Sequence, residues 1–169
     1  LRFLRSLGGV QNVSGGTAVL CFGGVCEPVN PGGTATYGWV LLAEDGTVAV
    51  EDSGRVGSGA GVTNNVAEYH ALGRGLRAIA ERQPRPRRLL LRGSSQLVIC
   101  QLRGEWQCNA DHLVRLRDRC LELLDELGCP WSAEWVPRAE NARAERLAVV
   151  AWEGATGQPF PEHRRGRRR

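Results

Sequence analysis

The chain has 169 residues, of which 42% are hydrophobic and 24% charged, the composition of a single globular domain with one core rather than of a disordered segment. No apolar run approaches the roughly 20 residues that a membrane-spanning helix requires, and Leu1 to Gly9, carrying Arg2 and Arg5 without a long apolar stretch, is not expected to act as a secretory leader. These features predict a cytoplasmic, monomeric protein with no membrane partner. The net charge is +4, yet Arg164, Arg165, Arg167, Arg168 and Arg169 crowd the last six positions, so the rest of the chain sits at about −1 and gives little evidence of a basic domain surface.

All 22 basic residues are Arg, and neither Lys nor Met occurs. Both missing residues have AT-rich codons, so a GC-rich coding sequence accounts for the bias. The missing Met implies either a non-standard start codon or a position inside a longer protein. The Arg-rich end is either a non-specific grip on phosphates or a solvated terminus. Six cysteines (Cys21, Cys26, Cys100, Cys108, Cys120 and Cys129) form no C-x-x-C pair and have no His at zinc-ligand spacing, so they are expected to be buried or partly buried free thiols.

Residues 1–16, ending in Gly-Gly, read as an N-terminal extension to a domain at 17–153, with an Arg-rich tail at 154–169. Thr17 to Cys26 (TAVLCFGGVC) has strand character, and Glu27 to Gly33 is turn-rich. TYGWVLLA and TVAVEDSGRV read as two strands joined at Glu44-Asp45-Gly46, a hairpin signal. Beyond Thr63, Val66, Tyr69, Leu72, Leu76 and Ile79 recur at helical spacing, with a capping residue supplied by Thr63-Asn64-Asn65 and a stop at Pro84 and Pro86. Arg87 to Arg92 (RRLLLR) reads as a strand and Ser95 to Arg103 as a short helix. Leu113, Leu116, Cys120, Leu123 and Leu127 mark a second long helix that Gly128 ends. Residues 132–137 (SAEWVP) read as a last strand, and Asn141 to Glu153 as a last helix. The order β-β-β-α-β-α-α-β-α predicts an α/β fold: a five-stranded mixed sheet with helices on both faces.

Four segments carry chemistry together: CFGGVCEPVNPGG (21–33), TNNVAEYHALGRGL (63–76), RGSSQLVICQLRGEW (92–106) and WVPRAENARAERLA (135–148). In this order the chain resembles ribonuclease H type 1, in the short form found in archaea and many bacteria. In that family the first strand reads F-D-G and is followed by N-P-G-G, and the first long helix opens T-N-N-x-A-E. A strand leads into G-D-S-Q-L-V, and the last helix begins E-N-x-x-A-D-x-L-A. The resemblance spans residues 17–153 and implies a ribonuclease H-like fold and an RNA–DNA hybrid as nucleic-acid partner. It further implies cleavage of the RNA strand with Mg²⁺ or Mn²⁺ as cofactor, two ions held by four carboxylates activating a water and stabilising the leaving oxygen.

Carried over position by position, the pattern is broken at two of the four carboxylates. Gly23 stands where the family has the Asp that bridges both metals, and Ser94 stands where it has the third acid. Glu68 is retained, and Glu145 replaces an Asp with a carboxylate one methylene longer. Glu68 and Glu145 are therefore the metal-ligand candidates left among the catalytic positions Gly23, Glu68, Ser94 and Glu145. Glu27, which shares strand parity with Gly23 but lies where the turn begins, and Asp111 and Asp118, on the second long helix, are not expected to substitute.

The resemblance also implies substrate contacts at Asn30, Thr63, Asn64, Asn65 and Gln96, which in the family bind the minor groove and phosphates of the hybrid. Thr63 and Asn64 would equally arise as helix caps and Asn30 as a turn residue. Trp106 is expected to pack rather than stack on a base. Three functions follow as expectations: a hybrid-binding domain with endoribonuclease activity lost or strongly impaired, an active endoribonuclease with an altered metal site, or a vestigial interaction module.

Overall fold

The computed structural model describes residues 16–161. Most of the N-terminal extension and all five arginines of the Arg-rich end lie outside the described residues. The chain runs β1 (Thr17–Glu27), β2 (Gly32–Leu42), β3 (Val48–Gly59), α1 (Asn64–Ala80), β4 (Arg88–Gly93), α2 (Gln96–Leu102), α3 (Asp111–Leu127), β5 (Trp131–Trp135), a 3₁₀ turn (Arg138–Asn141) and α4 (Ala142–Thr156). The sheet order is β3-β2-β1-β4-β5. β1 pairs antiparallel with β2, and β2 with β3, whereas β1–β4 and β4–β5 are parallel. This is the expected five-stranded mixed sheet.

Local chemistry explains the element ends. The β2–β3 turn closes with Gly46 at φ +81° and with Asp45 accepting from the Thr47 amide and hydroxyl. Thr63 caps α1 by accepting from the Val66 amide at 3.1 Å, and Ser95 does the same for α2 through Val98. Gly128 ends α3 in the left-handed region, where a residue without Cβ is unstrained. Helix α1 stops at Ala80, before the prolines that sequence reading took as its terminators. Helix α4 runs to Thr156, past the expected end at Glu153, and Phe160 packs edge-on against Trp152 with ring centroids 5.4 Å apart.

Both faces of the sheet are covered, which is why β1 and β2 are almost continuously buried rather than alternating. On one face Leu20, Phe22, Tyr37, Trp39 and Leu41 join α1 and α3 in the main core. On the other, Cys21, Val25 and Val40 pack with Ala144, Ala148 and Trp152 of α4. All six cysteines are free, four buried and two half-buried. Trp106, expected to pack, is 46% exposed.

The helices approach the sheet at glycine. Gly23 and Gly38 are cross-strand partners on the α4 face, and a Cβ on Gly38 would lie 2.4 Å from the Ala144 carbonyl and 2.6 Å from Leu147 Cβ. On the α1 face a Cβ on Gly24 would lie 2.6 Å from the Glu68 amide. Thr36 adds a buried bond to the Ala148 carbonyl at 2.7 Å. Gly38→Ala is expected to destabilise the fold by about 1–3 kcal/mol, the usual range for overpacking. Urea denaturation checks this, and an unchanged midpoint would contradict the close approach.

Candidate functional site

The parallel β1–β4 ladder ends at Phe22–Gly93. Beyond it β1 continues and the chain leaves β4 into α2, so a crevice opens at the carboxyl end of β4, the usual place for a site in such sheets. This cleft of about 510 Å³ is lined by residues that include Gly24, Glu27, Asn30, Asn64, Glu68, Ser94, Ser95 and Arg138. Parts far apart in sequence are thereby brought together.

Glu68 lies on the sheet-facing side of α1 and is only 4% exposed. Its carboxylate accepts from the Gly24 amide, while its Oε2 has no partner among the described residues. Burial, and secondarily the Glu145 carboxylate, push its proton affinity well above the ordinary value; the Gly24 amide and Arg138 only partly oppose this.

Glu145, in the first turn of α4, has both oxygens engaged. Ser94 donates its hydroxyl to Oε1 at 2.5 Å. The Arg138 guanidinium donates to Oε2 from Nη2 at 3.0 Å and from Nε at 3.3 Å. The Ser94 backbone is fixed in turn by the Trp135 indole N–H, which bonds its carbonyl at 3.1 Å. Asn141 anchors the start of α4 to β1 by donating to the Phe22 carbonyl at 2.8 Å. A Cβ placed on Gly23 would lie 3.1 Å from Glu145 Oε1 and 3.3 Å from its Cδ. The longer side chain at 145 therefore reaches into the space that a side chain at 23 would use.

The four positions do converge. Glu145 contacts both Gly23 and Ser94, and its charge reaches Glu68. Asn30 and Asn64 are joined on the cleft wall: the Asn30 amide nitrogen donates to Asn64 Oδ1 at 2.8 Å, and the Asn64 backbone amide donates to Asn30 Oδ1 at 3.2 Å. Thr63 serves as the α1 cap. Asn65 accepts a long 3.4 Å contact from the Ser95 hydroxyl, and Gln96 is exposed at the start of α2. Neither lines the cleft itself.

Arg138 was not singled out from sequence. Its signal was its place seven residues before Glu145, which the 3₁₀ turn converts into contact. Glu27 lines the same cleft, although it was set aside as a turn residue.

The donor set does not fit a pair of divalent cations. Gly23 offers no ligand atom, Ser94 offers a neutral hydroxyl already donated, and Glu145 is held by a guanidinium. Among the described residues no three or more His, Cys, Asp or Glu side chains come together as a metal site.

A β3-β2-β1-β4-β5 sheet with this helix arrangement and this cleft is a ribonuclease H-like domain. The family model for reverse transcriptase-like proteins matches residues 24–151. A ribonuclease HI of Halobacterium salinarum is 42% identical over 146 residues, covering 86% of this chain and 69% of that protein. The crystal structure of the RNase H1 from that archaeon superposes with a TM-score of 0.73 at 41% identity, over 82% of this chain and 99% of the other.

The N-terminal RNase H domain of a Mycobacterium tuberculosis protein gives a TM-score of 0.76 at 32% identity, over 85% and 98% of the two chains. This chain spans about a third of the full mycobacterial bifunctional protein (33%). A compost-derived RNase H1 in complex with an RNA/DNA hybrid gives a TM-score of 0.74 at 27% identity, over 82% and 98%. The chain belongs to the ribonuclease H-like, reverse transcriptase-like family.

The raised proton affinity of Glu68 sets a pH dependence. The folded state holds this proton more tightly than the unfolded chain, whose carboxylate titrates near 4.5. Stability contributed by Glu68 is therefore fully present below that value and is lost as pH rises towards the folded value. Glu68→Gln removes this loss, so its melting temperature should match the wild type near pH 4 and exceed it increasingly at higher pH. Thermal melts across pH check this, and a pH-independent difference would contradict it.

Proposed function

We propose that this domain binds RNA–DNA hybrid in the cleft between β1, α1 and the carboxyl end of β4, with endoribonuclease activity lost or strongly impaired. The observation that carries this reading is the closed set Ser94–Glu145–Arg138 beside a side-chain-free Gly23. A hydroxyl and a guanidinium satisfy the carboxylate that the active family uses for metal, and the bridging acid is absent. Support for retained binding comes from the Asn30–Asn64 pair at the cleft wall and from the hybrid-bound relative. Asn30, Thr63, Asn64, Asn65 and Gln96 are proposed as substrate contacts, reading minor-groove edges and phosphates.

Glu68 and Glu145 are the surviving acids of the catalytic set. Mg²⁺ or Mn²⁺ would supply water activation if four acids were restored, and this chain's own residues here do something narrower. Arg138, whose side chain is 63% exposed at the cleft, neutralises Glu145, so an incoming phosphate meets less repulsion than bare carboxylates would give. Glu68, whose proton affinity burial raises, carries a charge less readily than an exposed carboxylate would.

The test is fluorescence anisotropy with a labelled RNA–DNA hybrid in chelator, followed by a cleavage assay with Mg²⁺ or Mn²⁺. Hybrid binding without divalent cation, weakening with salt, and no cleavage are expected. Cleavage that Glu68→Ala abolishes would overturn the inactive reading, and absence of both activities would leave an interaction module.

Restoring the acids gives a sharper expectation, because a Cβ at 23 already comes within 3.1 Å of Glu145 Oε1, so the two side chains compete for space. Gly23→Asp with Ser94→Asp should restore less metal-dependent cleavage than the triple variant that adds Glu145→Asp. Single-turnover rates check the order, and equal rates would contradict the spatial competition between positions 23 and 145.

A further inference from the structure

A second pocket, of about 410 Å³, lies away from the cleft, between α1 and α3 and against β2 and β3. Its size falls within the ordinary range for small-molecule sites. Trp39 of β2 lines it and is 2% exposed, yet its indole N–H has no acceptor among the described residues. Arg74 of α1 lies with its guanidinium carbon 4.9 Å from the Tyr37 ring centre, and its Nε is likewise buried without a partner.

One turn further along α1, Arg77 reaches the same pocket, and no carboxylate lies within ion-pair distance of either arginine among the described residues. Arg119 also lines the pocket but is engaged by Glu122 and Glu126. Of the lining acids, Asp52 accepts from the Tyr37 hydroxyl at 3.4 Å, and Glu81 follows the last residue of α1. From α3, Leu116, Cys120 and Leu123 add apolar lining beside Arg119.

Buried donors left unmade are costly, and most such groups in native structures have a partner. Here two of them, the Trp39 indole N–H and the Arg74 Nε–H, share one pocket with the guanidinium of Arg77, which has no carboxylate within ion-pair distance among the described residues, and with apolar lining. His70 adds an imidazole whose proton affinity burial, and secondarily Arg74, push below the ordinary value. The missing component is an acceptor with negative charge, attached to a body that can lie against leucine.

We propose that this pocket is a second ligand site, distinct from the nucleic-acid cleft, for a small organic anion: a phosphate or carboxylate on a flat or apolar body. The anionic group meets Arg74 and Arg77, the Trp39 N–H binds an acceptor of the ligand, and the body packs on Leu116 and Leu123. A guanidinium fork is suited to either oxyanion.

The test titrates the intact chain with adenosine monophosphate, phenyl phosphate and benzoate, with adenosine and inorganic phosphate as the uncharged and body-less controls. The readouts are calorimetry and the tryptophan indole ¹H–¹⁵N resonances. The Trp39 signal, assigned by its loss in Trp39→Phe, should shift with at least one organic anion and not with adenosine. Inorganic phosphate should bind more weakly than that anion.

Arg74→Gln should weaken binding about tenfold or more, the usual effect of losing a charge-assisted bond. Trp39→Phe and Arg77→Gln should each weaken it several-fold, and Glu68→Gln in the cleft should leave it unchanged. Arg77 is exposed on α1, so Arg77→Gln keeps the test sound if Arg74→Gln does not fold. No shift or heat with any organic anion at millimolar concentration and low salt would overturn the proposal. Binding unaffected by Trp39→Phe and Arg77→Gln, or lost in Glu68→Gln, would overturn it equally.

Discussion

The structure depends on how closely two helices can approach β1 and β2. At Gly24 the backbone of α1 comes within what would be 2.6 Å of a Cβ, and at Gly38 the backbone of α4 comes within 2.4 Å. These contacts lie on opposite faces of adjacent strands, one register step apart. Close approach on both sides makes the centre of the sheet a dry, doubly covered layer, and it sets the depth at which Glu68 and Glu145 enter the site. Any side chain large enough to hold either helix off would move a carboxylate as well as loosen a core.

The same closeness gives the site its electrostatic character. Glu68 is taken out of water by the packing that seats α1, which is why its proton is held so firmly. Glu145 accepts from a hydroxyl on one oxygen and from a guanidinium on the other. A buried carboxylate is costly unless it gains partners or holds a proton more tightly; Glu145 has partners on both oxygens, and the proton affinity of Glu68 is raised. An arrangement built around metal ions would leave both acids to be satisfied by cations from solution. Here the chain supplies a cation of its own, and the side chain of Glu145 extends beside Gly23. Gly23, Ser94 and Glu145 are thus sterically and electrostatically compatible neighbours.

Away from the cleft, the α1–α3 side has the opposite imbalance. The cleft joins acids to an internal guanidinium, whereas the pocket beside Trp39 holds two buried N–H groups, of Trp39 and Arg74, that have no acceptor among the described residues. Helix α1 borders both, with Glu68 facing one and Tyr69, His70, Arg74 and Arg77 lining the other.

By itself the sequence determined the element order, the hairpin at Asp45-Gly46 and the cap of α1, because periodicity, turn chemistry and caps act between near neighbours in the chain, whereas positions 23, 68, 94 and 145 were marked out only by the family resemblance. Membership of the ribonuclease H-like family was legible for a related reason: its motifs sit at element ends, where a few residue types are demanded. Glu145 was legible as a retained acid, but not as one already satisfied. Only tertiary structure decided that Arg138 and Ser94 hold it, that Gly23 leaves the space it fills, and that Glu27 faces the cleft. Arg138 and Glu145 are seven residues apart across a 3₁₀ turn, and Ser94 bonds Glu145 across 51 positions. Burial of Glu68 and the stranded donors of Trp39 and Arg74 likewise arise only when separate elements close over them, since desolvation belongs to the packed assembly and not to any segment.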